Sequence, residues 1–280
     1  MSMLKGLTLT IDGFYERRSD IWVSASGQNS AILGVGSSYL NAGVVDSHGI
    51  EIGLDYTKKI GDFQLSAGGT FSYSRSKIKE MLEEPRAYDY LYQTGKPVGQ
   101  VWGLQAIGYF VDETDIANST PQQFGPVKPG DIKYKDINGD NVIDAYDKVA
   151  IGYTDVPEIN YGFGISLGWK GFDASLFMQG VGNVTRIIGG DALYGASDNI
   201  ERLGQIYADV AEKRWTTSNP NPNATYPRLS MSKVENNLQP STYWQRNMSF
   251  LRLKNVEIGY TLPKHIYKRL GMSSIRVYAQ

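Results

Sequence analysis

The sequence predicts an all-β chain built on an antiparallel up-and-down sheet, and three observations predict it. Apolar and polar residues alternate with a period of two in seven separate stretches. The links between those stretches are alternately long and short. The composition combines 31 Gly and 19 Tyr with a mean hydropathy of −0.33, a mix that favours strands over helices.

The opening strand, roughly 6 to 16, sets Leu7, Leu9 and Ile11 against Thr8, Thr10 and Asp12. Over 48 to 58, Ile50, Ile52, Leu54 and Tyr56 alternate with Glu51, Gly53, Asp55 and Thr57. The polar, Gly-containing run Lys58-Lys59-Ile60-Gly61-Asp62 then turns the chain into a strand over 62 to 76, making a hairpin. In that strand Phe63, Leu65, Ala67, Phe71 and Tyr73 oppose Gln64, Ser66, Thr70, Ser72 and Ser74. A second hairpin joins 159 to 169 and 172 to 184 through Lys170-Gly171, with Phe163, Ile165, Leu167 and Trp169 answered by Ala174, Leu176 and Met178. The sixth strand, 249 to 262, carries Val256, Ile258 and Tyr260, and Ile275 and Val277 begin a seventh over 274 to 280.

Long links of roughly 17 to 47, 77 to 158 and 185 to 248 interleave with short ones of roughly 59 to 61, 170 to 171 and 263 to 273. In a meander, alternate connections fall at opposite ends, so one end is trimmed short and the other carries large loops. Transmembrane β-barrels have that asymmetry. No run of about 18 apolar residues suggests a membrane helix, but barrel strands cross with alternate residues over about 9 to 11 positions. Aromatic residues near strand ends, at Tyr15, Trp22, Tyr56, Tyr73, Trp169 and Tyr260, suit interfacial girdles. A soluble β-sandwich alternates in the same way, so from alternation alone both readings stay open.

With no Cys and two His, thiol chemistry, disulfides and His/Cys zinc sites are excluded. A net charge of −1 leaves no basic footprint for nucleic acid. The metal options narrow to oxygen-ligand ions, and one segment offers them. From Asp136 to Asp147, oxygen-bearing residues fall at positions 1, 3, 5, 9 and 12 as Asp136, Asn138, Asp140, Asp144 and Asp147, with the Val142 carbonyl at position 7. That is EF-hand spacing for calcium. Position 6 is Asn141 where Gly is usual, and position 12 is the shorter Asp. No amphipathic helices flank the loop. The competing reading is an acidic Asx-turn loop without metal.

Other features have bland readings. Glu83-Glu84 and Asp112 with Asp115 read as solvated loop charges, and Gly34-Val35-Gly36 and Gly189-Gly190 as turns. Trp102, Tyr109, Phe110, Tyr194, Trp215 and Trp244 in the long links suit small cores inside large loops. Gln205 to Arg214 reads as a short helix. No constellation suggests an enzyme.

Several phrases, in order along the chain, resemble the SusC/RagA-type TonB-dependent outer-membrane transporters of Bacteroidota. They are Asn41-Ala42-Gly43 with His48-Gly49-Ile50-Glu51, Gly95-Lys96-Pro97-Val98-Gly99 with Trp102-Gly103, and Gly130-Asp131-Ile132-Lys133-Tyr134-Lys135. Ile151-Gly152, Pro157, Tyr161-Gly162-Phe163, Lys170-Gly171-Phe172-Asp173, Phe177, Gln179-Gly180, Trp215-Thr216, Tyr226-Pro227-Arg228, Ser249 to Asn255 and Gly259-Tyr260-Thr261-Leu262-Pro263 complete the set. The resemblance implies that residues 1–280 are a C-terminal part of a 22-strand barrel, with 77–158 a long extracellular loop containing the acidic segment 136–147. It implies an outer-membrane location and import of oligosaccharides or peptides under a SusD-like lipoprotein. The plug, the segment that contacts TonB, the early strands and the final strands would lie outside this chain. The acidic loop is then expected to hold a structural calcium ion. The alternative is a soluble calcium-dependent carbohydrate-binding β-sandwich.

Overall fold

The computed structural model describes residues 5–25, 39–194, 206–269 and 271–280. In chain order the strands are β1 (Leu7–Ser24), β2 (Tyr39–Ile60), β3 (Phe63–Glu80), β4 (Trp102–Gly103), β5 (Ala106–Tyr109), β6 (Ile132–Tyr134) and β7 (Val149–Ala150). They continue as β8 (Ile159–Trp169), β9 (Phe172–Gly182), β10 (Thr185–Ile187), β11 (Gln245–Asn247), β12 (Phe250–Thr261) and β13 (Arg276–Ala279). Four short helices are α1 (Glu113–Asn118), α2 (Asp191–Tyr194), α3 (Ala208–Lys213) and α4 (Lys264–Arg269).

The seven strands read from alternation form one antiparallel sheet in the order β1-β2-β3-β8-β9-β12-β13, a meander with every neighbour sequential within the sheet. Its register lines the apolar residues into continuous rows. One row runs Leu7, Tyr56, Ala67, Ile165, Leu176, Val256, and another runs Phe63, Trp169, Phe172, Tyr260. No second sheet packs on that face among the described residues; Leu54, Phe163, Ile165, Leu167 and Ile258 stay exposed on it. The β-sandwich alternative therefore has no support in the architecture.

Turn chemistry explains the tight end. Lys170 and Gly171 both have positive φ, 48° and 88°, the pattern that matches strand twist in two-residue hairpins. At the other end three strands are longer than the alternation indicates. β1 runs on to Ser24, β2 starts at Tyr39 and β3 reaches Glu80, so the link expected over 17 to 47 is cut to 25–38 and two long links remain, the first before β8 and the second between β9 and β12. Glu16-Arg17-Arg18-Ser19-Asp20 is polar on both faces, which hides a strand that has left the apolar layer. The bidentate pair of Arg17 with Asp46, at 2.7 and 2.9 Å, staples this extension. A bulge at Lys254, between Leu253 and Asn255, explains why Leu251 and Leu253 are out of phase with Val256 and Ile258.

The buried core is not in the sheet. Among the described residues, every buried hydrophobic except Ala25 and Ile78 lies from Leu104 to Trp244, outside the seven sheet strands. The long links make their own core, as their aromatics suggest.

Candidate functional site

Two surfaces can carry function: the polar face of the sheet and the block of loops at its long-link end. On the polar face Gly, Ser and Thr keep the wall thin. A hollow of 540 Å³ opens there, lined among others by Thr10, Asp12, Glu51, Asn160, Gln179 and Lys254. The bulge turns Lys254 into this hollow, where its Nζ donates to Gln179 Oε1 at 3.1 Å. The Phe177 ring reaches over Gly162 and Gly164, where added Cβ atoms would sit 3.2 and 3.3 Å from it. Those glycines make room for an aromatic wall in a polar lining.

The loop block is assembled from both long links. β4 pairs with β7 and β5 with β6 inside the first link, and β10 with β11 inside the second. The two links are then sewn together. Leu104 N donates to the Pro240 carbonyl and Thr242 N to the Leu104 carbonyl, both at 2.9 Å. Tyr134 Oη donates to the Asn236 carbonyl at 2.8 Å. At the centre lies Asp131, wholly buried. Its Oδ1 accepts from Asn237 Nδ2 at 2.8 Å, and its Oδ2 accepts from Lys128 N at 2.7 Å and from Arg228 Nη2 at 2.9 Å. Arg228 is thus neutralised within a nearly dry site. Around this hub pack Leu104, Tyr109, Ile132, Tyr134, Ile143, Trp215 and Trp244. Gly130, at φ +86°, lets its backbone rest on Trp215, whose ring would meet a Cβ at 2.2 Å.

Asp131 and Arg228 both stand inside phrases that carry the family resemblance, but no local spacing marks them as a pair. Burial of the pair is the missing information, and it is a long-range property. The carboxylates Glu83, Asp112 and Asp115 have structural roles, and are not free loop charges. Glu83 accepts from the Gln93 and Thr94 amides, Asp112 caps α1 through Asp115 N, and Asp115 pairs with Lys133 at 2.8 Å. The Lys133 hydrogen bond, helped by the Val111 amide, holds the Asp115 carboxyl below its usual range. The helix expected over 205–214 is α3, shorter at both described ends, with Gln205 outside the described residues. Gly34-Val35-Gly36 also lies outside them.

The acidic segment folds as a ladder of Asx turns. Asp136 accepts from Gly139 N and Asn141 N, Asn138 from Asp140 N, Asp140 from Val142 N, and Asp144 from Tyr146 N. Asp147, fully buried, accepts from Ile137 N and Asp144 N, closing the loop on itself. Asn141 takes the left-handed conformation, φ 65°, in place of the usual Gly. Ile143 is buried and anchors the segment. Among the described residues no three His, Cys, Asp or Glu side chains converge as a metal cluster.

Buried Tyr109 and half-buried Tyr243 are among the phenols that set the alkaline behaviour of the block. Tyr109 and Tyr243 share a hydrogen bond of 2.7 Å, and their hydroxyls also meet the Ala224 and Thr225 carbonyls. Burial pushes Tyr109 up to about 12, and burial together with the Tyr109 hydroxyl pushes Tyr243 higher. An unfolded tyrosine ionises near pH 10. The folded block therefore keeps protons that the unfolded chain releases, so this stability is complete below about pH 10 and is lost as pH rises through about 12. Fluorescence of Trp244, whose ring is 4.7 Å from Tyr243, should report loosening above pH 10, with a shallower loss in Tyr243→Phe.

Comparison with known proteins decides between the barrel and its rivals. No protein-family model matches the chain. TonB-dependent receptor P3 of Formosa agariphila is 24% identical over 88% of the chain, and TonB-dependent receptor P26 of the same organism is 23% identical over 98%. The chain is similar to TonB-dependent receptors. It spans 24% and 28% of the length of those two relatives. The structure of the RagAB peptide transporter superposes at a TM-score of 0.70 with 20% identity over 98% of the chain and 28% of its own. RagAB in its open-open state gives 0.67 at 21% identity over 97%, again 28% of its own length. The sheet has the fold of a stretch of TonB-dependent transporter barrel, and the location this gives the chain is the outer membrane. The rows fit that setting. From Phe63 to Tyr73 the strand takes ten steps of about 3.3 Å, about 25 Å of depth at a tilt of about 40°. That is the height of a barrel's apolar band.

Proposed function

We propose that this chain forms part of the wall and outer mouth of a TonB-dependent importer of oligosaccharides or peptides. The polar face lines the passage, the loop block faces the substrate and a SusD-like lipoprotein, and the energy comes from TonB contacts outside this chain. One observation carries the reading: a sheet whose apolar rows stay open on one face is joined, at one end only, to a loop block with its own core. RagAB, to which the sheet is similar in fold, is a peptide transporter. Uptake of labelled peptide and oligosaccharide pools tests it. Cells lacking the gene and cells lacking TonB should lose the same uptake, and the neighbouring lipoprotein should co-purify with the full-length protein. Unchanged uptake in both strains overturns the proposal.

The acidic loop is proposed as a calcium site that stiffens the link of 77–158. Each Asx turn uses one lone-pair direction per oxygen, and a carboxylate offers about four in all. Titration of the folded protein at millimolar calcium should release heat that Asp136→Ala removes. Absence of heat leaves the ladder of Asx turns as the whole role of Asp136, Asn138, Asp140, Asp144 and Asp147.

A further inference from the structure

We propose that the short-turn rim of the sheet is a binding surface for anionic phospholipid headgroups, a reading that rests on the outer-membrane barrel. The row Phe63, Trp169, Phe172, Tyr260 runs across four strands on the apolar face, and the Phe172 and Tyr260 rings lie 4.4 Å apart. Such a girdle marks headgroup depth. At that depth and just beyond it the chain gathers lysines, among them Lys58, Lys59, Lys170, Lys264 and Lys268, with Lys5 alongside, whereas the chain as a whole has a net charge of −1.

Their geometry suits phosphate. Lys58 sits opposite Leu65 on the apolar face, so its stem lies along the lipid and its ammonium reaches the interface, while Lys59, opposite Gln64, stands on the polar face at the edge of the turn. The Lys170 ammonium lies 5.3 Å from the Trp169 ring centroid, on the same rim. Lys264 and Lys268 are one helical turn apart on α4 and both exposed. The opposing charge is slight. Asp62 is the one carboxylate in these turns, and the nearby Asp173 is taken by Arg276, which also holds Glu257. The long-link end has no comparable excess, carrying instead the acidic segment 136–147. Lysines clustered at an anionic surface each add attraction that falls off within a Debye length.

Native mass spectrometry of the full-length protein in detergent, offered phosphatidylglycerol and phosphatidylcholine in equal amounts, tests the proposal. The wild type should retain phosphatidylglycerol about tenfold over phosphatidylcholine. Lys58→Gln, Lys59→Gln, Lys170→Gln, Lys264→Gln and Lys268→Gln combined should bring the ratio near one, and Lys264→Gln with Lys268→Gln alone should lower it. Changing Lys96 and Lys135 in the outer loops should leave it unchanged. Equal retention by the wild type, or a preference that survives the five changes, overturns the proposal. Membrane fractionation and heat-dependent gel mobility report the barrel separately: if both are normal and the lipid preference is absent, the rim reading alone fails, and a protein that stays out of membranes overturns both.

Discussion

Asp131→Ala should loosen the whole loop block by about 3–5 kcal/mol while leaving the sheet intact. The carboxylate is completely buried, and its removal strands the Arg228 guanidinium, with only 18% of its side chain exposed, among Asn237 and the backbone. An uncompensated buried charge costs about that much, far more than the net worth of the pair itself. Two amide partners, Lys128 N and Asn237 Nδ2, lose their acceptor as well. Because Asp131 belongs to the first long link and Arg228 and Asn237 to the second, the loss separates the links where they are joined. Hydrogen exchange should accelerate in residues 101–158 and 206–248 together, and limited proteolysis should cut both, with sheet segments protected as before. Asp131→Asn, which keeps an acceptor for Asn237 but no charge for Arg228, should fall between. Protection confined to one link, or no change in either, would show that the hub does not couple them.

The sheet was legible in the sequence and this hub was not, for a physical reason. Alternation is a local property: Ile50 to Tyr56 or Phe163 to Trp169 declare their two faces within one strand, and the tight turns at Gly61 and Lys170-Gly171 declare the pairing. Where a strand rises out of the apolar layer, as at Glu16 to Asp20, both faces meet water and the signal disappears although the pairing holds through Arg18 and resumes at Ile21 after a bulge. The loop block has no period at all. Its contacts join positions about a hundred residues apart, Asp131 to Asn237 or Tyr134 to Asn236, and nothing in Gly130-Asp131-Ile132 says which distant residue its carboxylate meets. The acidic segment lies between these cases. Its spacing was readable, and so was the left-handed Asn141, but the same carboxylate positions serve Asx turns as serve ion ligands.

Ile165→Arg should cost about 2–4 kcal/mol of bilayer stability, and Ser166→Arg next to it should cost little. Ile165 lies in the apolar row Leu7, Tyr56, Ala67, Ile165, Leu176, Val256, between the girdle at Trp169 and the ring of Tyr161. A guanidinium there sits near the middle of the apolar band, the depth at which charge on a lipid-facing strand is most costly. Ser166 points to the polar face, where the lining already carries Asp12, Glu51 and Lys254 and water solvates a new charge. The pair separates the membrane wall from a water-facing sheet on sign alone. If the exposed apolar rows met water, Ile165→Arg would remove an exposed Ile, 40% accessible, and leave stability unchanged or improve solubility. Urea titration of the full-length protein in phospholipid vesicles, followed by heat-dependent gel mobility, reads both variants. A loss at Ile165 with none at Ser166 is the expected outcome, and equal effects at the two positions would remove lipid from the apolar face.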